Sequence, residues 1–185
     1  VTTISTLNQS AVDGGSAATI DPAGQTLRTN AVLVGTGAGG LTVGGGSNNG
    51  TLVAALPGGE LALANNTANR LTVNSDIADN SGSSLTVYAG TVALAGANSD
   101  TGVTTVISGA TLLAARPACL YNDGGTMANW TKANIVVNAG GTLAVNYGGG
   151  TGLSETQVAA ALSNLTTSID NNGLRAGSAF GFDTT

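Results

Sequence analysis

The sequence predicts an all-β protein, a parallel β-solenoid with one short helix near the C-terminus, in a single domain spanning residues 1–185. Three observations predict it. Charged residues are only 8% and aromatics 3%, while 42% of the chain is apolar and Gly occupies 29 positions. Such a chain must bury its Val, Leu, Ile and Ala, and small aliphatic side chains suit a narrow interior of thin stacked layers better than a bulky core. Next, a degenerate Gly-Gly-x-Leu-x-Val phrase returns at Gly39-Gly40-Leu41, Gly50-Thr51-Leu52, Gly58-Gly59-Glu60-Leu61, Gly90-Thr91-Val92, Gly109-Ala110-Thr111-Leu112 and Gly140-Gly141-Thr142-Leu143. Finally, the anchors Leu41, Leu52, Leu61 and Leu71 fall about ten residues apart with turn residues between them. A sandwich of hairpins would show paired strands, two-residue turns and larger aromatics, whereas strands recurring like on like belong to a solenoid. With two or three strands per coil, a coil takes about 20 to 30 residues, and six to nine coils stacked at about 4.8 Å give a rod of about 30 to 45 Å.

In chain order, the alternation over residues 1–7 reads as one strand. Asp13-Gly14-Gly15-Ser16 is a turn, residues 17–20 a strand, and Asp21-Pro22-Ala23-Gly24 a second turn. Residues 25–34 form a longer apolar run that residues 35–40 break. The Asn48-Asn49 and Asn65-Asn66 pairs are expected to stack at turns. Residues 90–115 hold the local pattern most cleanly, with strands over 91–95, 103–107 and 111–115 separated by Gly, Asn, Asp and Ser. The pattern lapses over residues 116–133, read as a loop insertion containing the sole Trp, Trp130, and resumes at Ile135-Val136-Val137. Residues 154–165 form the helix: Ser154 and Gln157 have capping-box spacing, and Val158, Ala161, Leu162 and Leu165 share a face. It is expected on the side or end of the rod. Asn171-Asn172-Gly173 turns the chain into a last β segment near residues 174–182. Leu52, Leu61, Leu71, Leu94, Leu112 and Leu143 are expected to face inward.

Residues 71–115 carry a more specific likeness. Gly90, Thr91, Leu94, Gly96, Ala97, Asn98, Thr101, Gly102, Thr104 and Thr105 resemble the autotransporter-associated β-strand repeat, and residues 71–80 with Ser84-Leu85-Thr86 are similar to the segment that leads into it. Two positions depart from the pattern: Asp100 stands where the family usually has an aromatic residue, and Val103 where it has a second Gly. The turn after Ala95 is therefore expected to differ in shape. The resemblance implies a right-handed parallel β-solenoid on a bacterial surface and brings no catalytic residues with it.

Charge and residue types exclude several functions. The net charge is −5, and Lys132, Arg28, Arg70, Arg116 and Arg175 are scattered, so no basic stripe exists for nucleic acid or for an anionic membrane surface. No run of eighteen apolar residues is present, so no helical membrane insertion is expected. The absence of His removes Ser-His-Asp and Cys-His chemistry. Residues 35–40 satisfy a dinucleotide-binding pattern, but Leu41-Thr42-Val43-Gly44 cannot supply the helix N-terminus that a pyrophosphate needs. Asp76 and Asp79 are the only close acidic pair, suited either to capping turns or, less simply, to glycosidic hydrolysis. The Gly-Gly-x-Gly-x-Asp repeat of calcium-binding β-rolls is missing, which leaves only incidental Ca²⁺ binding. Tyr121, Trp130 and Tyr147 suit core or end-cap packing, with stacking on a sugar as the alternative. Cys119 reads as a small buried hydrophobe, or else as one half of an intermolecular disulfide. No catalytic, cofactor-binding or metal residue is assigned, and no cofactor is expected.

The expected function is that of a structural, non-enzymatic element of the cell surface or extracellular space: a stalk, fibre or matrix subunit. Its expected partner is itself, by head-to-tail stacking into filaments. An adhesin or glycan-binding module that touches surface glycans or matrix is the second reading, and a polysaccharide-cleaving β-helix the third. The start at Val1, with no charged and apolar leader, and the lack of a C-terminal membrane barrel suggest a mature or excised segment.

Overall fold

In the computed structural model, which describes residues 1–10, 15–46, 48–166 and 172–184, strands dominate and one α-helix is present. Every strand pairing among the described residues is parallel. The strands stack in three columns. The first holds β1 (Thr2–Thr3), β4 (Thr26–Thr29), β7 (Thr51–Ala54) and β10 (Asp76–Ala78). The second holds β2 (Thr6–Gln9), β5 (Ala31–Val34), β8 (Glu60–Asn65), the first half of β11 (Ser84–Leu94), β12 (Thr104–Val106), β14 (Ile135–Val137) and β16 (Gly173–Leu174). The third holds β3 (Ala18–Ile20), β6 (Leu41–Val43), β9 (Leu71–Val73), the second half of β11, β13 (Ala110–Ala114), β15 (Thr142–Asn146) and β17 (Ala179–Asp183). The chain visits the columns in rotation, so the seven strands of the third column mark seven laps.

Register makes the core. In the third column Leu41, Leu71, Val92, Leu112 and Leu143 lie partner to partner, as do Val43, Val73, Leu94, Ala114 and Val145. All ten are 0–1% exposed. The first column repeats this with Leu27, Leu52 and Ile77, and the second with Val32, Leu63, Val87, Val106 and Val137. A ladder of like side chains needs each strand to return in phase, and parallel pairing supplies that phase. All six leucines expected to face inward do so.

Corners explain where strands end. Residues 25–34 are two strands, with Asn30 at the bend donating its N–H to Ser5 O (3.1 Å). Residues 1–7 likewise are not one strand. β1 and β2 belong to different columns and are separated at Ile4-Ser5, a corner that alternating Thr and Ser do not signal. The last β segment also divides, into β16 and β17. At β11 the chain passes a corner without ending the strand, through a register shift between Val87 and Ala89. Gly90 makes this possible: its φ is 60°, and a Cβ there would lie 2.0 Å from Asn65 O. Asn65 itself lies in register with Val34 and is not part of an asparagine ladder; its side chain holds the neighbouring backbone, donating to Thr91 O (3.0 Å). Of the expected turns, Asp13, Gly14 and Asn171 lie outside the described residues.

The first column continues past β10 without regular strands. Ile77 N–H donates to Asn98 Oδ1 (2.7 Å), and Asn98 Nδ2 donates to Cys119 O (2.6 Å), so one side chain bridges two laps. The segment 116–133 then packs inward: after a 3₁₀ turn at Pro117–Cys119, the side chains of Cys119, Leu120, Met127 and Trp130 are all fully buried. The helix α1 (Glu155–Leu165) lies between β15 and β16, where other laps pass through the first column. Its capping box is formed as the sequence expects: Gln157 N–H donates to Ser154 Oγ (3.3 Å) and Ser154 N–H to Gln157 Oε1 (2.8 Å). Gln157 Nε2 and Asn164 Nδ2 fasten it to the carbonyls of Gly125 and Met127. Val158, Ala161 and Leu165 are buried and Leu162 is half-buried.

Candidate functional site

The residues singled out from the sequence separate cleanly in space. Gly39 packs against the backbone of the preceding lap, where a Cβ would meet Gly15 O at 2.3 Å, and strand β6, not a helix, follows it. Asp76 accepts a hydrogen bond from Ala97 N–H (2.6 Å). Asp79 accepts from Gly82 N–H (3.1 Å), Thr101 N–H (3.2 Å) and Thr101 Oγ1 (2.8 Å). These bonds, that of Gly82 foremost, hold the Asp79 carboxyl below the ordinary carboxylate range. Both carboxylates therefore cap corners. The three aromatics are not brought together: Trp130 is fully buried, Tyr121 turns its hydroxyl inward, and Tyr147 is 42% exposed beside Phe182.

Cys119 is free and fully buried, and burial pushes its thiol up to about 12. A thiol reagent should leave it unmodified in the native protein and label it once the chain is unfolded, an outcome read by mass spectrometry. Rapid labelling without denaturant would contradict this packing.

The most unusual chemistry lies one lap above Asp79. Asp100 is 2% exposed, and neither carboxylate oxygen has a hydrogen-bonding partner among the described residues. Burial raises its carboxyl to about 7, opposed by its own backbone N–H, which lies near without hydrogen-bond geometry, and assisted by the nearby charge of Asp79. Asp100 lines a cavity of about 220 Å³ with Ser99, Thr101, Tyr121, Asn129 and Asn134. Each wall is fixed. Asn98 anchors the backbone before Ser99, and Thr101 is tied to Asp79. Asn134 Nδ2 donates to Asn129 O (2.9 Å), while Asn129 N–H donates to the buried Asp123 (2.5 Å). Tyr121 has a left-handed backbone, φ 59°, that is costly for a bulky residue. Its hydroxyl compensates, bonding Thr104 Oγ1 (2.9 Å) and Asn134 O (2.5 Å) and accepting from Thr104 N–H (3.0 Å). Desolvation pushes this phenol well above its ordinary range, so it stays neutral. The cavity is thus held rigidly, its lining residues carry hydroxyl, phenol and amide groups, and its one carboxyl has no partner among the described residues. Among the described residues no cluster of three or more His, Cys, Asp or Glu is placed to hold a metal.

The second feature is the pair of column ends. Among the described residues β1, β2 and β3 have no strand on their outer side, and neither do β16 and β17. Phe180 and Phe182 continue the two ladders of the third column beyond Leu143 and Val145. Phe182 is 55% exposed and packs edge-on against Tyr147 and Phe180, with centroids 5.8 and 5.6 Å away. An open, apolar groove of about 400 Å³ lies beside it, lined by Tyr147, Glu155, Val158, Phe182 and Thr184.

Sequence reading missed Asp100, Phe180 and Phe182. For Asp100 a signal existed, its departure from the repeat pattern; for the two phenylalanines the in-phase spacing Phe-Gly-Phe was the signal. Comparison with protein-family models, curated proteins and solved structures finds no match to this chain.

Proposed function

We propose that the chain is a structural, right-handed parallel β-solenoid element of the bacterial surface or extracellular space, which extends by stacking end to end on further copies of itself. Parallel pairing throughout, with three columns visited in rotation, supports the solenoid, and parallel crossovers in one sheet are overwhelmingly right-handed. The resemblance of residues 71–115 to autotransporter-associated repeats supports both the hand and the location.

The observation that carries self-stacking is the match between the ends. Continuing the registers by one lap sets Ala18 of a second copy on Phe180 and Ile20 on Phe182, so that both apolar ladders run on unbroken. In the second column Leu7 would follow Leu174. No charged residue lies in β1, β2 or β3, so nothing on this edge discourages pairing. The first column is different, because α1 takes its place in the last lap; two columns of three would carry the junction. The contact is heterologous, and repetition builds a fibre rather than a closed dimer.

Sedimentation velocity over a concentration series tests this. The wild type should show growing species, while Phe182→Arg and Ile20→Lys, each placing a charge on the junction, should stay monomeric with unchanged circular dichroism. A wild type that remains monomeric at high concentration would overturn self-stacking, and binding of that monomer to a glycan array would favour the adhesive reading instead.

A further inference from the structure

We propose that the cavity around Asp100 is a binding site for a hard divalent cation, Ca²⁺ by its chemistry, locking the corner between the lap of Asp79 and the segment 116–133. The first ground is the residue itself: Asp100 is 2% exposed, both carboxylate oxygens are closed off without a partner among the described residues, and it stands in the wall of a cavity whose other residues carry hydroxyl, phenol and amide groups, so that a turn of its side chain would bring the oxygens onto an ion held there. Buried ionisable groups are normally paired or metal-bound. No cationic side chain lines this cavity, so once Asp100 is ionised its counter-charge has to come from a guest.

The donor set selects the guest. Ser99 and Thr101 hydroxyls, the amide oxygens of Asn129 and Asn134 and the Asp100 carboxylate are hard oxygen ligands, with no His or thiolate to favour a transition metal. A volume of about 220 Å³ admits an ion together with several waters, which flexible Ca²⁺ coordination accepts. Asp79 adds negative potential from the neighbouring lap without surrendering its own hydrogen bonds. A single carboxylate among neutral oxygens places the affinity with the weaker extracellular sites, on the order of 10⁻⁴–10⁻³ M.

The pH dependence follows in sign. The folded-state pKa of Asp100 is raised, so the ion-free protein retains this group's favourable contribution at low pH and loses it as pH rises through about 7. Cation binding needs the ionised form and so strengthens over the same range. The titratable groups coupled to Asp100 are Asp79, Tyr121 and Cys119, and Arg116 acts on Cys119; the tyrosine and the thiol stay neutral throughout.

Thermal unfolding of wild type, Asp100→Asn and Asp76→Asn at pH 8, in EDTA and in 10 mM CaCl₂ (about ten times the weaker expected Kd), tests the assignment. The wild type should gain about 3–6 °C with Ca²⁺, as should Asp76→Asn, whose carboxylate caps a different corner. Asp100→Asn should gain nothing, standing at or above wild type in EDTA and below it in Ca²⁺. Tb³⁺ offers a second readout that needs no variant: bound beside Tyr121 it should luminesce on excitation of the phenol, and Ca²⁺ should displace it. No Ca²⁺ shift in the wild type, an equal shift in Asp100→Asn, or Tb³⁺ emission insensitive to Ca²⁺ would each overturn the proposal and leave ordered water as the occupant.

Discussion

Trp130→Ala is expected to lower the unfolding free energy by about 3–5 kcal/mol, the largest loss for any single side chain in this protein. Trp130 is fully buried and belongs to one apolar cluster with Cys119, Leu120 and Met127 of its own segment and Val158, Ala161 and Leu165 of α1. Its removal empties a fully buried volume in that cluster, and the backbone around it is pinned by Asp123, Asn134 and Tyr121, which resists its closing. Trp130→Phe should cost much less, about 1–2 kcal/mol, because the indole Nε1 has no partner among the described residues and its loss removes an unpaired polar atom. Urea unfolding followed by far-ultraviolet circular dichroism measures both. The sole tryptophan leaves with the mutation, so fluorescence cannot. A loss under 1 kcal/mol for the alanine variant would mean that the segment is not part of the core.

Leu94→Ala is expected to cost about 2–5 kcal/mol, in the upper half of that range. Leu94 is fully buried in the ladder between Val73 and Ala114. The neighbouring alanine matters: truncation would place two alanines on successive laps, and the spacing fixed by backbone hydrogen bonds prevents their collapse. Leu56→Ala, at a site 62% exposed, should change stability by no more than about 0.5 kcal/mol. Equal midpoints for the two variants would show that the third-column register is wrong.

The legible part of this fold is the part that repeats. Leu41, Leu52, Leu61 and Leu71 stand in the third, first, second and third columns in turn, so the ten-residue spacing there is the passage from one face to the next, and the lap from Leu41 to Leu71 is its triple. The helix was legible because its capping box is local: Ser154 and Gln157 suffice to place its start. Residues 1–7 were misread as one strand because Thr and Ser carry no burial phase, leaving the corner at Ile4-Ser5 without a marker. The inward packing of residues 116–133 was hidden for a different reason. Met127 and Trp130 belong to one apolar cluster with residues of α1 and of laps distant in sequence, and no periodicity within the segment reports that.

Asp100 shows the same limit at the candidate site. In Asn98-Ser99-Asp100-Thr101-Gly102 it looks like any turn residue, and Tyr121, Asn129 and Asn134, which share its cavity, come from later in the chain, where no local pattern points to them. Its departure from the repeat pattern marked the position as unusual but said nothing of a cavity. Phe180 and Phe182 acquire meaning only once their registers with Leu143 and Val145 are known.

The account rests on laps of parallel strands that continue in register from one copy into the next. Cryo-electron microscopy of the concentrated protein measures this most directly. Filaments with strands perpendicular to the axis, a layer spacing of about 4.8 Å and a subunit repeat of about 34 Å, as seven laps require, are the expected result. Discrete single particles at every concentration, or strands running along the particle axis, would contradict it.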